Sequence, residues 1–180
     1  MKNNLLIILF ISVFFSCKKS KNETDASTLA VSKIDTTRIT IFKYDNTDKE
    51  CEKIFPAGKN SRLEDVDLIK IEDALKLIIG KQNTVQVKRF KEYSKNYLKE
   101  NYTLQDFIIK DKNYIRRYLV IENSHGEKEI YVNLICDEIA KELDWKKYLS
   151  DGHGGGSCLF SFKLNLTTNT YYDVYFHAEA

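Results

Sequence analysis

The sequence predicts an α+β domain: an antiparallel sheet of two or more hairpins, with helices packed on one face. Three observations predict it. Cys158, Phe160, Phe162, Leu164 and Leu166 alternate strictly with Leu159, Ser161, Lys163 and Asn165, the period of a strand with one face buried. Tyr118 to Asn123 and Glu129 to Cys136 are β-rich and meet at the turn-like Asn123-Ser124-His125-Gly126-Glu127, so they form a hairpin. Before them, Leu68, Ile71, Leu75 and Ile78 or Ile79 recur at helical spacing.

The chain has 180 residues, 43% hydrophobic and 30% charged, which is room for one ordinary domain with a leader. Seven glycines and one proline exclude a collagen-like or low-complexity chain. Met-Lys-Asn-Asn opens the sequence, and the 11-residue run Leu5 to Phe15, broken only by Ser12, follows it. Such a run is too short for a mature span, which needs about 20 residues, and has the form of a secretory signal. Val13-Phe14-Phe15-Ser16-Cys17 resembles the lipobox of bacterial lipoproteins, although Phe14 and Phe15 are bulkier than the usual residues there. The resemblance implies cleavage after Ser16 and acylation of Cys17. Two or three acyl chains hold a protein stably on a bilayer where one does not.

The expected organisation is therefore a signal peptide over residues 1–16, a lipid-anchored flexible tether over 17–37 and a single α+β domain over 38–180. The tether is polar and has no apolar period before Ile34. Loss of the leader removes only Lys2 among the charges, taking the balance from +2 to +1. Near-neutrality speaks against a nucleic-acid partner.

Within the domain, Ile39 to Tyr44 reads as a first strand. Ser61 and Glu64 have the form of a capping box, and Gly80 is a plausible stop for the helix between them. A second helix over about 86–100 places Phe90, Tyr93, Tyr97 and Leu98 on one face and lysines on the other. In the hairpin, Ile130, Val132, Leu134 and Cys136 share a face. Glu138 to Leu149 reads as a short helical connection. Gly152, Gly154, Gly155 and Gly156 then lead into the alternating strand, where glycine supplies positive φ or a bulge at little steric cost. Thr167-Thr168-Asn169-Thr170 turns the chain back, and Tyr172, Val174, Phe176 and Ala178 line the return strand.

With Cys17 acylated, Cys51, Cys136 and Cys158 remain, in a compartment that permits disulfides. One must be left over. Cys136 with Cys158 is the favoured pair because both end apolar stretches of neighbouring strands, and the alternative is that all are small buried hydrophobes.

Several stretches together resemble a group of small uncharacterised lipoproteins and secreted proteins of the Bacteroidota. They are Leu68-Ile69-Lys70-Ile71-Glu72, the hairpin around Gly126-Glu127-Lys128, the Trp145-Lys146-Lys147 segment, Asp151 with Gly154-Gly155-Gly156-Ser157-Cys158, Lys163-Leu164-Asn165-Leu166-Thr167-Thr168, and the ending from Tyr171. The group typically carries Asp-Gly-Gly-Asn-Cys where this chain has the expanded Asp151 to Cys158, and Asn-Gly-x-Ala where it has His177-Ala178-Glu179-Ala180. The resemblance covers roughly residues 65–180 and implies an address and a domain identity, with no activity attached.

No catalytic constellation stands out. His153-Gly154-Gly155-Gly156 matches the oxyanion-hole segment of lipases, but no Gly-x-Ser-x-Gly elbow accompanies it, and no Gly-Lys-Ser/Thr follows for phosphate. Asp151 and His153 are the weak functional candidates of the chain. His125, His153 and His177 lack the paired spacing of metal ligands, so no metal and no cofactor is expected. Residues 85–118 hold nine bases against four acids, with Phe90, Tyr93, Tyr97 and Tyr102 interleaved, whereas residues 45–79 hold nine acids against six bases. Such a basic aromatic face suits an acidic partner, a glycan or lipid headgroups, although a solvated helix face with its aromatic stripe in the core is the commoner arrangement.

The functional expectation is a lipid-anchored protein of the bacterial cell envelope, on the outer membrane. Its domain would be a non-enzymatic binding module for a protein, peptide or glycan. The alternatives are a protective immunity or inhibitor-type lipoprotein and a small envelope enzyme using Asp151, His153 and Ser157.

Overall fold

The computed structural model describes residues 34–96, 101–149 and 155–177. The leader, Cys17 and most of the expected tether lie outside the described residues, as do Tyr97, Leu98, Asp151, His153 and Ala178. Six strands form one sheet: β1 (Ile39–Phe42), β2 (Lys59–Asn60), β3 (Tyr114–Glu122), β4 (Lys128–Cys136), β5 (Leu159–Asn165) and β6 (Thr170–Phe176). Their spatial order is β1-β3-β4-β5-β6, with β2 also on β3. The helices are α1 (Lys49–Ile54), α2 (Asp65–Asn96), α3 (Leu104–Phe107) and α4 (Asp137–Ala140). The architecture is α+β, and the two long hairpins β3–β4 and β5–β6 are its centre. One pairing is not antiparallel: β1 runs parallel to β3, Ile39 opposite Arg116 and Phe42 opposite Leu119.

The helix expected to end at Gly80 runs on through it to Asn96, 32 residues in all from Asp65, so the two expected helices are one. Nothing lies within 4 Å of the place a Cβ would take at Gly80. Its cost in a helix interior, about 1 kcal/mol against alanine, is outweighed by contacts on both sides. Upstream, Leu68, Ile71, Ala74, Leu75, Ile78 and Ile79 are buried against the sheet. Downstream, the Asn83 side chain donates to the Ile109 carbonyl and accepts from the Ile109 N–H, at 3.1 and 2.8 Å. The cap also differs from the expected box. The Asp67 carboxylate reaches back to the Glu64 N–H at 3.0 Å, while the Ser61 N–H donates to the Val120 carbonyl of β3. Asp65 and Asp67 place negative charge on the first turn, where the helix dipole favours it.

The face of the sheet under α2 carries Tyr118, Val120, Ile130, Val132, Leu134, Phe160, Phe162 and Leu164, all at most 1% exposed. The second face is covered too, by shorter pieces. Cys51 and Phe55, from α1 and its end, pack with Leu119, Ile121, Tyr131 and Leu149. Ala140 of α4 packs with Ile115, Ile135 and Leu159.

The return strand β6 departs from simple alternation. Phe176 pairs with Phe160 and Tyr171 with Leu164, so both meet the face under α2 although they are five residues apart. An odd interval would put them on opposite faces, and a bulge opposite Ser161–Lys163 corrects the parity. Asp173 within it has φ 50°. Consequently Tyr172 faces the other way, opposite Lys163. Phe90 and Tyr93 likewise leave the main core: their rings pack on Phe107, 5.3 and 5.6 Å between centroids, forming a separate aromatic group at the far end of α2.

Candidate functional site

A cleft of about 540 Å³ opens between the first half of α2, the start of β3 and the chain leading into β1. Its walls hold four acids, Asp35, Glu72, Asp73 and Asp111, four bases, Arg38, Lys76, Lys112 and Arg116, and the apolar side chains of Ile34, Ile69 and Tyr114. Even-numbered residues of β3 point toward α2, which brings Tyr114, Arg116 and Tyr118 to this side.

Arg116 and Glu72 form a two-pronged ion pair in the cleft, one prong at 3.2 Å, with side chains only 11% and 16% exposed. Burial pushes the Glu72 carboxyl above the usual carboxylate range; the Arg116 charge and hydrogen bonds oppose that rise, and the Asp111 charge adds to it. Beside the pair lies the fully buried Tyr118, whose hydroxyl makes no well-formed hydrogen bond among the described residues. Burial raises the pKa of that phenol strongly, with the Arg116 charge pulling it back. Further along the wall, the Tyr114 hydroxyl donates to the Ser157 carbonyl at 2.7 Å, and burial raises its pKa too. At the rim Arg38 pairs with Asp137, and Lys76 with Asp73.

Tyr114 is opposite Cys136 in the β3–β4 ladder, so the cleft wall leads to the disulfide. Cys136 and Cys158 are joined, with an S–S length of 2.05 Å and Cα atoms 4.8 Å apart. They adjoin in sequence the last β4–β5 ladder pair, Ile135 and Leu159, with Cys158 ending a short 3-10 turn. The bridge closes a sequence separation of 22 residues, which by loop entropy contributes about 3 kcal/mol. Cys51 is free and buried, and burial raises its thiol pKa. Cys136, Glu138 and Cys158 are near enough to one another to be metal ligands, but the disulfide uses both sulfurs.

On the second face, Arg117 is 1% exposed. Its Nε donates to the Asn133 carboxamide oxygen at 2.9 Å, and an Nη donates to the Tyr148 carbonyl at 2.8 Å. Among the described residues the basic run of 85–118 therefore divides: Lys88, Arg89, Lys91 and Lys95 are exposed on α2, Lys110 is exposed beside it in sequence, Lys112 and Arg116 line the cleft, and Arg117 is a buried structural arginine.

Of the residues singled out in the sequence, Cys17, Asp151 and His153 lie outside the described residues. Leu149, before the glycine segment, is buried among Tyr131 and Leu119, and Gly155, after it, has φ 96°. His125 sits in the β3–β4 turn, where its N–H donates to the Asn123 side chain, and His177 packs edge-on against Tyr175. Glu72, Arg116, Arg117 and Asn133 were not singled out. Arg117 had a sequence signal, since it shares the parity of Ile115, Leu119 and Ile121; the Glu72–Arg116 pair spans 44 residues and had none. Compared with known proteins, the chain matches no family model, no curated protein and no solved structure.

Proposed function

We propose that this chain is a lipid-anchored protein of the bacterial cell envelope, on the outer membrane, and that its domain is a non-enzymatic binding module whose recognition site is the Arg116–Glu72 cleft. The observation that carries the reading is the composition of the cleft. Four acids, four bases and three apolar side chains around 540 Å³ are balanced in charge, which suits a peptide segment bearing both signs better than a polyanion. The address has separate support. The Cys136–Cys158 disulfide fits an oxidising compartment. No helix of the described residues is long and apolar enough to cross a membrane, and the lipobox-like stretch Val13 to Cys17 supports attachment through acyl chains on Cys17.

The anchor is tested by Cys17→Ala, which should abolish fatty-acid labelling and release the protein from membranes; retention with unchanged mobility on a gel sinks it. For the cleft, a photo-crosslinking amino acid in place of Ile69 should capture a partner from the native envelope. The same probe at Thr168, in the β5–β6 turn, should not. Equal capture at both positions removes the cleft from the reading, and hydrolytic or transferase turnover by the purified chain removes the non-enzymatic part.

A further inference from the structure

Charge is unevenly spread along α2. Between Lys76 and Asn96 six bases stand against the single acid Glu92, in a chain whose formal charge is only +2. Thr84, Lys88, Lys91 and Lys95 recur at intervals of four, three and four residues and so form one stripe, opposite the side on which Phe90 and Tyr93 meet Phe107. Leu77, two turns earlier on the same stripe, is 59% exposed. Lys88, Lys91 and Lys95 are exposed, and no ion pair among the described residues uses them. Upstream the balance reverses: residues 45–73 hold nine acids against five bases.

We propose that this lysine face of α2 docks on the anionic phospholipid surface of the membrane that carries the protein. The proposal rests on the lipid-anchor reading above. Lysine ammonium groups are compact point charges that attract phosphate headgroups without needing a fixed geometry. Chain length favours the membrane as the occupant. Seventeen residues, 17–33, separate the described domain from its anchor, and even fully extended they reach no further than about 60 Å. A contact that holds a free protein only weakly is strengthened when the anchor makes it intramolecular at that range. The acid-rich stretch, repelled by the same surface, sets the orientation by turning away from it.

The test uses the full acylated chain, extracted and reconstituted into vesicles of phosphatidylcholine alone or of phosphatidylcholine with phosphatidylglycerol. Amine acetylation, resolved by peptide mass spectrometry, reads each lysine. Lys88, Lys91 and Lys95 should label roughly tenfold more slowly on the anionic vesicles at low salt, and high salt should remove the difference. Lys49 and Lys53 of α1 should label equally on both. Equal labelling of the three stripe lysines on the two vesicle types overturns the proposal, and so does protection seen in native envelopes but on neither vesicle, which assigns the face to a protein or glycan. Flotation on phosphatidylcholine reads the anchor separately. If the anchor is missing, flotation on anionic vesicles alone still supports the lysine face, and flotation on neither overturns it. In the Lys88→Gln/Lys91→Gln/Lys95→Gln variant, slowed amide exchange over residues 84–95 on anionic vesicles should disappear; its persistence overturns the proposal.

Discussion

Arg116 and Arg117 are consecutive in β3 and point to opposite faces of the sheet, one into an ion pair with Glu72 on α2 and the other onto the Asn133 side chain of β4. Each guanidinium is held where water is scarce, so each depends on the groups that receive its N–H bonds. Arg116 ties the long helix to the sheet at the cleft, and Arg117 ties β3 to β4 and to the segment ending at Leu149.

Removal of one partner of the Arg116–Glu72 pair should cost more than removal of both. Glu72→Ala leaves a guanidinium that is 11% exposed without its carboxylate, and a loss of about 3 kcal/mol is expected. Urea denaturation of the two single variants and of Glu72→Ala/Arg116→Met should show a double variant less destabilised than Glu72→Ala alone, and so far less than the sum. Strict additivity would mean that the pair is not coupled.

The same carboxyl gives a pH dependence with a defined sign. Burial raises the pKa of Glu72 in the folded chain. Between the ordinary carboxylate value and that raised value, the folded state therefore keeps a proton that the unfolded state has released. Stability from this group falls as pH rises through the window. Glu72→Gln should remove that component, so the stability of wild type minus variant should decline with rising pH across the window. A flat difference in denaturation midpoints would contradict it.

At Gly80 the opposite effect is expected. The helix is regular there and space is open, so Gly80→Ala should stabilise the protein by about 0.5–1 kcal/mol, read as a higher urea midpoint at unchanged slope. At Gly155 a methyl group would require φ 96° of a non-glycine residue and approach the Ile139 Cδ1 at 2.9 Å. Gly155→Ala should therefore destabilise, by about 1–2 kcal/mol.

The thiols make a counting prediction. In the unreduced, denatured chain, alkylation should modify Cys51 and leave Cys136 and Cys158 untouched until reductant is added. Cys136→Ala/Cys158→Ala should lower stability by about 3 kcal/mol. Tryptic peptides mapped by mass spectrometry check the first, and denaturation checks the second.

Periodicity made the sheet and the buried half of α2 legible: Leu68 to Ile79 repeats at helical spacing and Phe160 to Leu166 at strand spacing, and both bury the residues so marked. What escaped was settled by contacts distant in sequence. Gly80 is a local stop signal, and the bonds between Asn83 and Ile109 carry the helix through it. The parallel pairing of β1 depends on where the chain returns after α2, which no local pattern encodes. The parity change in β6 depends on one inserted residue whose neighbours alternate normally. The cleft was invisible for the same reason, since its walls come from residues 34–38, 69–76 and 111–116 and meet only when α2 lies across the sheet.

The bulge in β6 has a consequence at the level of populations of molecules. β6 is the last strand of the sheet, and an unbroken outer strand would offer its free N–H and C=O groups as a template for a neighbour's. Asp173, left-handed at φ 50° and ion-paired to Lys163 at 3.0 Å, interrupts that row and sets a charge on it. Proteins confined to a two-dimensional surface meet one another far more often than the same number in solution. Under the anchoring proposed above, the irregularity that corrects the parity of Phe176 would also keep neighbouring copies from zipping edge to edge.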